Sequence, residues 1–313
     1  KKIDVGNVSL PLNGTLITGS QSLFGLKTQL QFGRTTITGI LSQQKSTTSE
    51  IEVNGGAQTS EFDVYADQYE ANKHYFLSHY FKDNYDIALQ NLPFINSPIN
   101  ITKIEVWVTN KTGTTNNTRN IVSFLDLGET SSNIYNTQFT TSNGGIFPDN
   151  NAANDLFTSL ITNFSDIRNI NNVNTVLSPA ISLNFLNGQD YEKLERARKL
   201  SESEYTLHPQ LGYISLNQAL NNDEVLAVAF QYTVGNKTYQ VGELTSTGPD
   251  APDALILKML KGTNFSPNLP NWHLMMKNIY SIGAYQMSRD GFVLDIVYEN
   301  SEESGALTNY ISE

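Results

Sequence analysis

The sequence predicts a β-rich α+β fold, and three observations carry that prediction. Residues 22–45 alternate apolar and polar side chains along two long arms with almost nothing between them. Val225–Val234 and Lys237–Leu244 flank Gly235-Asn236, a pair suited to a two-residue turn with positive φ. Between these hairpins, residues 62–91 place aromatics at helical intervals. Period-two alternation marks a strand because successive side chains leave opposite faces, while steps of three and four mark a helix.

Taken in order, Ile3–Leu12 is the first candidate strand and Thr15–Ile17 leads into the first hairpin. In its first arm Phe24, Leu26, Leu30 and Phe32 point one way, with Thr28 among them; Gly25, Lys27, Gln29, Gln31 and Gly33 point the other. Arg34 sits at the turn, and Thr35–Lys45 returns less regularly. Such a hairpin fits a transmembrane β-barrel, while the pattern alone favours an ordinary sheet with one wet face. Glu50–Val53 closes this β block before Asn54-Gly55-Gly56. Phe62–Asn91 reads as a helix, with Tyr65, Tyr69, Phe76, Tyr80 and Ile87 on one stripe and Pro93 as its stop. Ile99–Thr109 and Ile121–Leu127 are strands around the polar loop Asn110–Asn120. Residues 128–150 are rich in Asn, Thr and Gly and read as a surface loop. Ala152–Asn163 is a short helix, 165–178 is irregular, Ile181–Leu186 is a strand and Asp190–Leu200 a charged helix. Past the second hairpin come a turn at Gly248–Asp253, the apolar run Leu255–Leu260, and Asn271–Gln286 with Trp272, Met275 and Met276. Arg289-Asp290-Gly291 then turns into Phe292–Tyr298. This divides the chain into a strand segment, 1–61, and an α+β domain, 62–313. In that domain Tyr69, Phe76 and Tyr80 are expected to pack on a sheet containing Ile104, Val106 and Val108, with Val228, Phe230 and Tyr232 nearby.

Composition narrows the chemistry. Of the 313 residues 39% are hydrophobic and only 16% charged, as in β-rich, loop-rich surface proteins. The net charge of −11, with no basic run, argues against a nucleic-acid partner. Without cysteine there is no disulfide, no thiolate catalysis and no Cys-based zinc site. No apolar run approaches the ~20 residues of a membrane helix, so any integral membrane contact is made by strands. Lys1-Lys2-Ile3-Asp4 is no signal peptide, the chain lacks an initiator Met and it ends abruptly at Ser312-Glu313; it is expected to be a piece of a longer protein.

His74 and His79 are five apart, which is wrong for a helical zinc pair, and they read as structural histidines. Asp63, Asp67 and Glu70 are explained by a helix N-terminus, with a carboxylate site as the sharper alternative. Asp149-Asn150-Asn151 lacks the rest of a calcium loop. There is no nucleophile elbow, phosphate loop or dinucleotide fingerprint, and neither an enzyme nor a cofactor or metal is expected.

Four stretches carry a resemblance to a known family: Asn13–Gly33, Tyr69–Phe81, Asn91–Ile95 with Ile101–Asn110, and Trp272–Gly283. They resemble the SprA/Sov family, the outer-membrane translocons of the type IX secretion system of Bacteroidetes, which also serve gliding motility. The resemblance implies a fragment of a very large single-chain β-barrel that conducts folded cargo proteins bearing C-terminal targeting domains. It implies a PorV-type barrel partner, a periplasmic plug protein and contact with outer-membrane lipid. It turns residues 1–61 into barrel strands and 62–313 into an inserted, pore-capping domain at the cell surface. Phe24, Leu26, Leu30 and Phe32 would then face lipid, and Lys27, Gln29 and Gln31 the wet pore, since Lys27 on the lipid side at mid-depth costs ~2–4 kcal/mol. An extracellular adhesin or glycan-binding module is the alternative, and a secreted enzyme the third reading.

Overall fold

The computed structural model describes residues 2–8, 23–33, 35–42, 62–144, 148–177, 185–284, 292–299 and 306–307. Strands β1 (Lys2–Val8), β2 (Leu23–Phe32) and β3 (Thr35–Ser42) form an antiparallel sheet in that order. Leu26 pairs with Leu41, Leu30 with Ile37 and Phe32 with Thr35, so the first hairpin is as tight as its sequence predicts. Gly33 turns it with φ +59°, a conformation that favours glycine. The strands expected at 15–17 and 50–53 lie outside the described residues.

The remaining elements are β4 (His74–Phe76), α1 (His79–Leu89), β5 (Ile99–Val108), β6 (Thr118–Phe124), α2 (Leu156–Thr162), α3 (Val173–Leu177) and β7 (Tyr191–Lys199). They continue with β8 (Tyr205–His208), β9 (Tyr213–Leu216), β10 (Leu226–Val234), β11 (Lys237–Val241), β12 (Leu255–Lys261), β13 (Tyr298–Glu299) and β14 (Ala306–Leu307). Five of these strands close on themselves. β5 pairs with β10, β10 with β12, β12 with β6, β6 with β7, and β7 with β5 again. Only β12–β6 is parallel. The described residues thus hold a small five-stranded barrel; they do not contain the large one that the resemblance implies.

Alternate residues of the barrel strands fall into separate clusters, which gives the layers. Trp107, Ile121, Leu194, Ala197, Ala227, Ala229, Leu255 and Leu257 come from all five strands and fill the lumen. Three alanines beside one tryptophan suit so narrow an interior. Outward residues of β5 and β10, among them Val106, Val108, Val228, Phe230 and Tyr232, pack under α1 and the sheet of β4, β9 and β8. Outward residues on another side, Val122, Phe124, Tyr191 and Ile256, pack under α2 and α3. Burial on both faces is why β10 and β12 read as nearly continuous apolar runs.

Several sequence expectations fail for identifiable reasons. Phe62–Asn91 is not one helix. Residues 62–73 are turns and irregular chain, Asn72 takes a left-handed φ of +59°, and the buried Tyr75, Phe76 and Leu77 follow one another along and just past a strand. Only His79–Leu89 is helical, and the aromatic spacing was coincidental. Asp190–Leu200 is strand β7 and no helix. A bulge sets Glu195 and Arg196 against a single step of β6, with Arg196 at φ +51°. The bulge keeps Leu194 and Ala197 on the lumen side three residues apart, and with Tyr191 and Leu200, buried in other clusters, the run imitates a helical face. The Gly235 turn of the second hairpin is as expected, at φ +59°. The stretch 165–178 contains a 3-10 turn at Ser165–Arg168 as well as α3. Phe185 and Leu186 are in no strand, and 181–184 lie outside the described residues. The loop after β6 is not merely surface, because Glu129 and Asp149 in it are buried.

Candidate functional site

The sheet β1–β3 has two unlike faces. Residues directly opposite one another across a ladder share a face. Leu26, Leu30 and Phe32 therefore stand beside Leu41, Ile37 and the Thr35 position, and Lys27, Gln29 and Gln31 alternate with them on the other side, Gln29 opposite Thr38. The apolar side is open: Phe32 is 62%, Ile37 54% and Leu41 75% exposed, and Leu26 is exposed as well. Leu30, Lys27 and Gln29 are half-buried and Gln31 is exposed. Phe24 lies in β2 opposite Asn7, and its side chain is outside the described set. Covering each large apolar side chain contributes ~1.5–3 kcal/mol, so this face stores a strong drive toward lipid or another apolar surface.

The expected domain-core residues gather in one cluster. Phe76, Val106 and Val108 are buried, and Tyr69, Tyr80 and Ile104 pack against them half-exposed. Phe76 meets Tyr85 edge-on at 5.2 Å and Phe81 meets Tyr232 at 5.0 Å. The acids Asp63, Asp67 and Glu70 precede α1 and so do not serve its N-terminus. Glu70 instead bonds Lys73 at 2.6 Å and His74 at 3.0 Å, while the other His74 nitrogen meets the Ser215 hydroxyl at 2.8 Å.

A buried ionic centre sits where the start of α1, the loop after β6 and β12 converge. Glu129 and Lys258 are each about 1% exposed. Lys258 Nζ donates to Glu129 Oε1 at 2.5 Å and to the Leu125 carbonyl at 2.6 Å. His79 Nδ1 faces Glu129 Oε1 at 2.9 Å, and its Nε2 faces the Pro270 carbonyl at 3.1 Å. Both partners are acceptors, so both ring nitrogens donate and the imidazole is charged. Burial opposes that charge, but the Glu129 carboxylate outweighs it and raises the proton affinity of His79. For Glu129 burial works upward, and Lys258 and His79 overcome it and hold the carboxyl down at about 2. Asp149 goes the other way: burial, then the Glu129 charge, pushes it up to about 7. Its Oδ2 accepts the Tyr80 amide at 3.1 Å and so caps α1, and Tyr232 donates to its carbonyl. With its carboxyl committed inward, Asp149 is unsuited to a calcium loop. His79 has no free nitrogen with which to accept a proton, so the centre holds structure and fixes charge.

Sequence reasoning passed over Glu129 and Lys258. One signal was available, since Lys258 interrupts the apolar run Leu255–Leu260, buried at every position. Among the described residues no group of His, Asp or Glu is arranged to hold a metal, and no helix is long and apolar enough to cross a membrane.

No curated protein matches the chain. The family SprA_N, described as motility related/secretion protein, matches residues 1–239. That span runs through the β1–β3 sheet and most of the small barrel, and covers over three-quarters of the 313 residues. The chain therefore belongs to the SprA_N family of motility- and secretion-related proteins.

Proposed function

We propose that the chain is part of the protein-conducting translocon of the type IX secretion system, moving folded cargo across the outer membrane of Bacteroidetes and supporting gliding motility. Membership of a motility- and secretion-related family supports this reading. The observation that carries it is the β1–β3 sheet, with Phe32, Ile37 and Leu41 open to the surroundings on one face and Lys27, Gln29 and Gln31 on the other. A strand wall with one apolar and one polar face is what a pore in lipid requires, because the lumen must stay wet and the outside must not. In this reading β1–β3 belong to a large barrel, and a PorV-type barrel, a periplasmic plug and cargo with C-terminal targeting domains are its partners. The part played is passage and not catalysis.

The short turn at Gly33 belongs on the periplasmic side, where such barrels keep short turns, and the domain that follows then caps the pore at the cell surface. The 313 residues hold no cysteine, so a probe placed among them is unique within this segment. A single cysteine replaces Leu41 or Thr38 in the parent protein and carries an environment-sensitive dye. Dye at position 41 is quenched by spin-labelled lipid, and dye at position 38 by aqueous iodide. Iodide quenching at both positions overturns the membrane reading. Thr114→Cys, in the exposed loop before β6, reacts with an impermeant maleimide on intact cells; labelling only after permeabilisation places the domain inside and refutes the cap.

A further inference from the structure

An open cleft of about 440 Å³ lies between the start of α1, residues 132–135 and the 3-10 turn Pro270–His273. Its charge is unlike that of the chain. The protein carries a net −11, yet the cleft gathers Lys82 with two of the four histidines, His79 and His273, against a single acid, Asp83. Asp83 is a weak counter-ion, 3.6 Å from Lys82 and mostly in solvent.

His79 forms part of the floor, with both of its ring nitrogens already facing acceptors. Lys277, tied to the Trp272 and Met275 carbonyls, stands close by. Burial and then the charges of Lys277, Lys82 and His79 lower the proton affinity of His273, a crowding that an anion relieves. The opposite wall supplies neutral donors. Tyr135 accepts from Gln189 Nε2 at 3.1 Å and so keeps its own proton for another partner. Asn268 also lines the space. The volume is that of a small-molecule site, and its walls are mostly polar.

We propose that this cleft binds a small polar ligand of sugar size carrying a carboxylate or phosphate. Lys82 and His273 take the anion, and Tyr135 and Asn268 hold the uncharged body. The site does not depend on the translocon reading, and failure of either leaves the other standing.

The test is calorimetric titration of the 313-residue chain at pH 6.5 and low salt with glucuronate, glucose 6-phosphate, glucose and inorganic phosphate. Saturable binding of an acidic sugar, weaker binding of phosphate alone and none of glucose are expected. Lys82→Gln and His273→Gln are surface changes, and each loss of a charge-assisted hydrogen bond weakens binding by about tenfold or more. Absence of saturable binding by both acidic sugars overturns the proposal, as does unchanged binding in the double variant. Phosphate alone binding as tightly as the acidic sugars refutes the role of the body.

Discussion

Asp149→Asn isolates the one carboxyl that burial and a neighbouring charge lift to about 7. Asp149 is 1% exposed, its Oδ2 accepts the Tyr80 amide at 3.1 Å, and Ser78 adjoins it. Unfolding releases the carboxyl into water, where it ionises near 3.8. Between those values the folded chain holds a proton that the unfolded chain gives up. The contribution of Asp149 to stability is therefore greatest at low pH and falls as pH rises from about 4 to about 7. A gap of about three pH units at ~1.4 kcal/mol each sets an upper limit of ~4 kcal/mol on that loss. Asparagine offers the Tyr80 amide the same kind of carbonyl acceptor and never ionises. The variant should lie within ~1 kcal/mol of the parent chain at pH 4 and be ~2–4 kcal/mol more stable at pH 8.5. Urea unfolding followed by tryptophan fluorescence measures both values, because Trp107 is buried inside the barrel. Lys261 and Lys277, each brought down to about 8, titrate in both proteins and drop out of the difference. A difference that stays constant from pH 4 to pH 8.5 refutes the reasoning.

Glu129→Gln leaves Lys258 and His79 buried with half their partner, and should destabilise the chain by ~3–5 kcal/mol in the same urea assay at pH 7. Since Glu129 is depressed from 4.5 to about 2, the stability it gives is whole above pH 4.5 and disappears as pH falls toward 2. The variant's deficit should shrink over that window, and a deficit that persists at pH 2.5 speaks against the ion pairs. Gly212→Ala should cost at least ~2 kcal/mol. Gly212 has φ +66° and an added Cβ would overlap the Phe81 ring; a melting temperature equal to the parent's removes that argument.

What the sequence disclosed follows from how local each cause is. The hairpins at Gly33 and Gly235 were legible because turn and register are decided within a few residues. β7 was not, because the bulge that sets Leu194 and Ala197 three apart on one face is fixed by pairing with β6, some seventy residues earlier. The segment before α1 misled for the same reason: Tyr75 and Phe76 are buried by β9 and Met275, and not by a helical face. The ionic centre joins His79, Glu129 and Lys258 from three distant stretches, so no spacing announces it. The closed barrel was equally hidden, because its one parallel pairing, β12 with β6, needs the whole intervening chain.

The path of the chain at the edges of the barrel domain carries a physical consequence. The Phe62 and Phe292 rings stack at 6.1 Å, the Glu70 amide donates to the Ile279 carbonyl at 2.8 Å, and Tyr280 donates to the Ala66 carbonyl at 3.1 Å. The chain thus comes into this domain and leaves it side by side, the geometry that lets a domain sit inside a loop of another structure. Residues 292–297 then run on with Val293, Leu294, Ile296 and Val297 all exposed. These side chains flank the exposed Asp295, and like the Leu26, Ile37 and Leu41 face of the first sheet they leave apolar surface to be covered.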